Sequence, residues 1–131
     1  MKKYNFNKLI RSKLPERMRE EGVMLYGRAL DDHEFIQELK NKLIEEALEV
    51  KDTLSRIDLI KELADVTEVI EALASSASIT KEEIEQERAI KRNTNGDFVA
   101  ENFVDYIEVP TDKSEIIEYL ENKNRPYEYR S

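Results

Sequence analysis

Residues 35 to 73 carry apolar side chains at intervals of three and four positions, with one short interruption. The first series is Phe35, Leu39, Leu43, Ala47, Val50 and Leu54. The second series is Ile57, Ile60, Leu63, Ala64, Val66, Val69, Ile70 and Leu73. This spacing predicts two amphipathic α-helices. Because there is room only for a short turn near Ser55 and Arg56, we expect the helices to form an antiparallel hairpin.

Capping patterns predict where the helices begin. Three N-cap residues are each followed three positions later by an acidic residue: Asp31 by Glu34, Ser55 by Asp58, and Thr80 by Glu83. The last of these predicts a third long helix that ends near Asn93. A short helix is expected from Pro15 to Gly22, a brief strand at residues 107–110 and one more short helix from Asp112. With only three Gly and three Pro, the predicted fold is all-α, of the four-helix-bundle type.

The charge and composition exclude several classes of function. The formal net charge is −8 and the sequence has no basic stripe, so a nucleic-acid polymer is not an expected partner. Cysteine is absent and His33 is the single histidine, which excludes thiolate zinc sites and multi-histidine sites. No apolar run is long enough to cross a membrane, and we expect a cytoplasmic protein.

Four carboxylates on the predicted hairpin are candidate metal ligands. Glu46 and Glu49 lie three residues apart on the first helix, and so do Glu62 and Asp65 on the second. Residues three apart share one face of a helix. If the chain reverses between Ser55 and Arg56, Glu46 lies level with Asp65, and Glu49 lies level with Glu62. The four carboxylates would then meet in one patch.

A divalent cation would offset the repulsion between the carboxylates in such a patch. Like charges at neighbouring helical positions cost about 0.2 to 0.5 kcal/mol per pair, and more when they are partly desolvated. Mg²⁺ prefers oxygen ligands and is commonly held by a few carboxylates together with substrate phosphates. The alternative is that these acidic residues form an ordinary solvated helix face, as glutamate runs usually do.

The motif E-E-x-x-E followed by E-x-x-D on a hairpin resembles the all-α nucleotide pyrophosphohydrolases of the MazG-like group. That group includes phosphoribosyl-ATP pyrophosphohydrolase, the dimeric dUTPases and a small single-domain house-cleaning branch. The similar segments are YNFNKLIRSKLPE, LKNKLIEEALEV, ELADVTEVIEAL and ERAIKRNTNGDF, between Tyr4 and Phe98. The resemblance implies a MazG-like domain over residues 1–104, followed by a C-terminal extension over residues 105–131.

The resemblance also implies roles for individual residues. The metal ligands would be Glu46, Glu49, Glu62 and Asp65, holding Mg²⁺ or alternatively Mn²⁺. The basic residues near the start and after the third long helix would contact phosphate: Lys8, Arg11, Lys13, Lys91 and Arg92. Ordinary solvated cations are the alternative for these five residues. The chain departs from the family in having Ser12 within Arg-Ser-Lys and Asn95 and Asp97 within Asn-Gly-Asp-Phe, which bears on phosphate binding and substrate choice.

The implied reaction is hydrolysis of a noncanonical nucleoside triphosphate to a monophosphate and pyrophosphate. Water attacks the α-phosphorus and either Glu45 or one of the four ligands, for which we take Glu46, accepts its proton. The alternatives are phosphoribosyl-ATP hydrolysis in histidine biosynthesis and a non-catalytic helical interaction module. Since a hairpin with apolar stripes leaves one side uncovered, we also expect a homodimer or homotetramer.

Overall fold

The computed structural model describes residues 1–122, and these residues form five α-helices and no strand. The helices are α1 (Leu14–Glu20), α2 (Asp32–Lys51), α3 (Arg56–Ser76), α4 (Lys81–Asn95) and α5 (Ser114–Glu121). The predicted all-α class is therefore confirmed for this part of the chain. The end of the predicted C-terminal extension, residues 123–131, lies outside the described residues.

The three long helices begin at the predicted caps. A side-chain oxygen accepts a hydrogen bond from the backbone N–H three residues later in each case: Asp31 from Glu34 at 2.8 Å, Ser55 from Asp58 at 3.1 Å, and Thr80 from Glu83 at 3.1 Å. Each bond satisfies one of the donors that a helix leaves unpaired in its first turn. Because these caps fix where α2 and α3 begin, they also help to fix which residues of the two helices lie opposite each other.

Helices α2 and α3 form the hairpin that carries the candidate site. They are the only two described helices in extensive contact, and residues 52–55 connect them. At the end of α2 the Thr53 hydroxyl donates to the Val50 carbonyl at 2.8 Å, which satisfies one of the last helical acceptors. A four-residue connection forces the two helices to run in opposite directions, as the sequence predicts.

The apolar interior between α2 and α3 is small. Among the described residues, Leu39 and Val69 are the only buried apolar side chains, and Glu46 is the only buried charged one. Most of the predicted apolar series is only half-buried or exposed. One stretch of α3 is notable because Leu59, Leu63, Val66 and Ile70 follow each other at intervals of four, three and four. Leu59, Leu63 and Ile70 are exposed, and we call these four residues the apolar seam.

Two compact units can be distinguished, Met1–Thr94 and a second unit that begins at Asn95. The domain boundary after residue 104 stays a prediction. In the second unit α5 confirms the expected short helix, but residues 107–110 do not form the expected strand. A strand needs a neighbouring strand to receive its backbone hydrogen bonds, and the described part of the chain offers none. No helix within residues 1–122 combines the length and the hydropathy needed to cross a bilayer.

Candidate metal centre

The hairpin brings three of the four predicted ligands together. Glu46 and Glu49 project from α2 and Glu62 projects from α3, and one carboxylate oxygen of each lies within 4.8 Å of the other two. The i, i+3 spacing places the first two on one face, and the antiparallel packing adds the third from the opposite helix. We call these residues the carboxylate trio. Three hard oxygen donors at this separation suit a single divalent cation.

Two oxygens of the carboxylate trio lack a hydrogen-bond partner. Glu46 Oε2 and Glu62 Oε2 are both buried, and neither is hydrogen-bonded within the described part of the chain. Buried polar atoms in folded proteins are nearly always paired, because an unpaired one loses its hydration without replacement. The two unpaired oxygens belong to residues that face each other across the hairpin. They therefore point to a ligand that a protein group does not supply.

Burial, together with the neighbouring carboxylates, raises the pKa of two members of the trio. Burial raises the pKa of Glu46, and the negative charges of Glu49 and Asp65 add to that effect against the opposing attraction of Lys42. Burial also raises the pKa of Glu62, followed by a hydrogen bond with Glu49 and by the charges of Glu49, Asp65 and Glu46. A hydrogen bond between two carboxyl groups requires a proton on one of them. The trio thus binds positive charge, as protons, more readily than isolated glutamates do.

The fourth predicted ligand, Asp65, has a cationic partner. Its Oδ1 accepts a hydrogen bond from Arg11 Nη2 at 2.6 Å, so the N-terminal segment reaches the hairpin here. The charge of Asp65 still raises the pKa of Glu46 and of Glu62. Asp65 therefore stands next to the trio without belonging to it, and its role as a metal ligand stays a prediction.

Glu45 lies next to Glu46 on α2, between two lysines. Lys8 Nζ is 3.2 Å and Lys42 Nζ is 3.3 Å from Glu45 Oε1. Burial acts to raise the pKa of Glu45, but the hydrogen bonds and charges of Lys8 and Lys42 outweigh it and lower the pKa. Glu45 is therefore more readily ionised than its neighbour Glu46, whose pKa is raised.

Lys42 is a site residue that the sequence analysis missed. Its ammonium lies 3.4 Å from Glu46 Oε1 as well as contacting Glu45, and its side chain is only 18% exposed. The signal was present, because Lys42 precedes Glu45 by three residues and Glu46 by four, the spacings at which helical neighbours meet. Lys42 links the carboxylate trio to Glu45.

The remaining predicted phosphate contacts lie elsewhere. Lys13 immediately precedes α1, while Lys91 and Arg92 lie near the end of α4. All three are exposed, and within residues 1–122 none of them forms an ion pair with the carboxylates of the hairpin. Their role in phosphate binding stays a prediction, whereas Lys8 and Arg11 are placed beside the site by direct contacts.

We expect the metal-free protein to become more stable as the pH falls from 7 towards 5. The folded-state pKa values of Glu46 and Glu62 lie above the ordinary value of 4.5, so between 4.5 and the raised values the folded chain binds more protons than the unfolded chain. Stability must then rise as the pH is lowered through this window. Thermal unfolding at pH 7 and at pH 5, with a chelator present, measures this change in stability.

The control for this pH dependence is a chain carrying both Glu46→Gln and Glu62→Gln. It lacks the two groups with raised pKa values and should lose most of the stabilisation on acidification. The pKa of Glu34 is held at about 2 by its hydrogen bonds with Arg28, so Glu34 costs stability as the pH falls from its ordinary pKa of 4.5 through about 2, which is below this window. A melting temperature that falls between pH 7 and pH 5 would contradict the expectation.

Comparisons with protein-family models, with curated proteins and with solved structures found no match for this chain. The resemblance to the MazG-like group therefore stays a prediction from the motifs. What bears on function is the arrangement of carboxylates and cations on the hairpin.

Proposed function

We propose that this chain is a divalent-metal-dependent pyrophosphohydrolase that converts a nucleoside triphosphate to the monophosphate and pyrophosphate. The observation that carries the proposal is the carboxylate trio, in which two buried oxygens have no hydrogen-bond partner among the described residues. Oxygen ligands of this kind suit Mg²⁺, with Mn²⁺ as an alternative. Glu46, Glu49 and Glu62 would hold the ion, with Asp65 beside them as the fourth ligand.

The charge balance around the trio supports a divalent ion. Five carboxylates lie on this part of the hairpin, namely Glu45, Glu46, Glu49, Glu62 and Asp65. Three cations pair with them, namely Lys8, Arg11 and Lys42. The ionised cluster thus carries more negative than positive charge, which favours a divalent cation. A bound metal ion also favours an approaching triphosphate at an otherwise acidic site.

The reaction divides its roles between the metal ion and the side chains. When bound, Mg²⁺ neutralises phosphate charge and lowers the pKa of water, which makes hydrolysis at the α-phosphorus feasible at neutral pH. Glu45, whose carboxylate is held in place by Lys8 and Lys42, would accept a proton from the attacking water. Lys8 and Arg11 lie where their charge can stabilise phosphate oxygens once the nucleotide competes for them.

The proposal includes a second copy of the chain. The apolar seam on α3 leaves Leu59, Leu63 and Ile70 exposed, and its four-three-four spacing is that of helices packed side by side in bundles. Two hairpins joined along this seam would form a four-helix bundle, in a homodimer or as half of a homotetramer. The small interior of the single hairpin makes this added burial important for stability.

A panel of nucleotides tests the reaction directly. With Mg²⁺ present, we expect at least one nucleoside triphosphate to yield equal amounts of monophosphate and pyrophosphate, and we expect a chelator to abolish the release. The panel should contain canonical triphosphates, oxidised or deaminated triphosphates and phosphoribosyl-ATP. Turnover of phosphoribosyl-ATP alone would assign the enzyme to histidine biosynthesis. Absence of pyrophosphate release from every compound would contradict the proposal and favour a non-catalytic interaction module.

A further inference from the structure

A cleft of about 400 Å³ lies between the N-terminal segment and α2. Its lining includes Phe6, Asn7 and Lys8 from the segment and Glu38, Asn41, Lys42 and Glu45 from α2. Its volume falls within the usual range for small-molecule sites. We propose that this N-terminal cleft binds the base of the nucleotide substrate and prefers bases with an exocyclic amino group. This inference rests on the proposed function.

The aromatic component of the cleft is Phe6. Its side chain is 54% exposed although it borders a cleft, and the Lys8 ammonium lies over the ring, 4.7 Å from its centroid. A planar base can stack on the exposed part of such a ring, and stacking is tolerant of base identity because every base has an aromatic face. The cleft therefore provides a surface on which a nucleobase can lie.

The polar component of the cleft is the pair formed by Glu38 and Asn41. The Asn41 amide nitrogen donates to Glu38 Oε1 at 3.4 Å, and this is its only hydrogen bond within residues 1–122. An amide also carries a second donor hydrogen and an acceptor oxygen, and a carboxylate accepts several bonds. Carboxylate and amide side chains recognise the amino groups of cytosine and adenine. The pair thus favours these bases over uracil and thymine.

The cleft and the trio meet at Lys42. The Lys42 ammonium lies 3.3 Å from Glu45 Oε1, which lines the cleft, and 3.4 Å from Glu46 Oε1 of the trio. A base in the cleft and an α-phosphate at the trio would therefore lie on either side of this lysine. Lys42 and Glu45 line the cleft and also belong to the site, so the two regions are continuous.

A second cleft at the hairpin turn is a weaker candidate for the base. It has a volume of about 340 Å³, and four of its lining residues are acidic: Glu49, Asp52, Asp58 and Glu62. Its remaining lining residues are Thr53 and Leu54, so it contains neither an aromatic ring nor a cation. The N-terminal cleft instead offers Phe6 to the base and has Lys42 at its boundary with the trio, where the phosphates would lie.

A single-tryptophan reporter tests the proposal without metal ions and without turnover. The chain contains no Trp, so Phe6→Trp introduces a fluorophore whose emission reports on this cleft alone. In a chelator, we expect AMP and CMP to quench the emission saturably, UMP to bind at least about fivefold more weakly, and ribose 5-phosphate to cause no saturable quenching. Phe98→Trp is the matched control, because Phe98 is 97% exposed and lies outside the cleft; its emission should show no saturation.

A second substitution separates base recognition from simple stacking. In the Phe6→Trp chain, Asn41→Ala should weaken the binding of AMP and of CMP at least about fivefold, so that their affinities come close to that of UMP. Circular dichroism checks that the variants fold. Equal quenching by ribose 5-phosphate and AMP, or no saturable quenching by any nucleotide, would overturn the proposal even if the chain hydrolyses nucleotides. Base-dependent quenching in a chain that releases no pyrophosphate would support base binding in the cleft and contradict the proposed hydrolase activity.

Discussion

A Glu49→Gln variant is expected to release pyrophosphate at least about 100-fold more slowly than the unaltered chain. Loss of a residue that merely orients a metal ligand typically costs about 10- to 100-fold, and Glu49 is proposed to be a ligand itself. The substitution preserves side-chain size and replaces one negatively charged oxygen by an amide. Because Glu49 is exposed, folding should be unaffected. Initial rates at saturating Mg²⁺ measure the effect.

The metal-free Glu49→Gln variant should be more stable than the unaltered chain, although its activity should be lower. Without metal, the substitution removes a charge that raises the pKa of both Glu46 and Glu62, so thermal stability in a chelator should increase. With Mg²⁺ the unaltered chain gains stability by binding the ion, and the variant should gain much less. Glu71→Gln is the matched control, on an exposed position of α3 away from the trio. Unchanged activity in Glu49→Gln, with Glu71→Gln also active, would remove the trio from the mechanism.

A Leu63→Glu variant is expected to weaken self-association at least about 100-fold. Leu63 lies in the middle of the apolar seam and is 48% exposed in the single chain, so the substitution should cost the hairpin little stability by itself. At an interface between copies the new carboxylate would be buried without a partner, which is strongly unfavourable. Analytical ultracentrifugation over a range of protein concentrations measures the change.

The control for this substitution is Ile57→Glu. Ile57 is also on α3 and is 66% exposed, but six residues from Leu63 it lies about 120° away around the helix. The Ile57→Glu variant should therefore self-associate as strongly as the unaltered chain does. If Leu63→Glu and the unaltered chain sediment alike as monomers at micromolar concentration, the seam does not join two copies and the four-helix bundle must be abandoned.

The local sequence was sufficient to predict the helices and the convergence of three carboxylates. Caps at Asp31, Ser55 and Thr80 depend on a side chain and a backbone group three residues apart, which any helix start provides. The position of Glu62 opposite Glu46 and Glu49 follows from a short connection between helices of fixed rise per residue. These features need no knowledge of the rest of the chain.

Tertiary features were not predictable in the same way. The contact of Arg11 with Asp65 spans 54 positions and depends on the path of an N-terminal segment that lacks any periodic pattern. An uncovered apolar side was expected from the stripes, but which residues form it was not, because periodicity identifies an apolar face but not what covers it. The role of Lys42 could have been predicted, because its spacing to Glu45 and Glu46 is that of neighbours on one helix face.

The most direct test of the metal centre is a titration with Mn²⁺ followed by electron paramagnetic resonance, in which bound ion is distinguished from free ion. The unaltered chain should bind Mn²⁺ saturably, and Mg²⁺ should compete. A chain carrying Glu46→Gln, Glu49→Gln and Glu62→Gln should bind at least about 100-fold more weakly. Equal affinity in the two chains would show that these carboxylates do not hold a divalent ion.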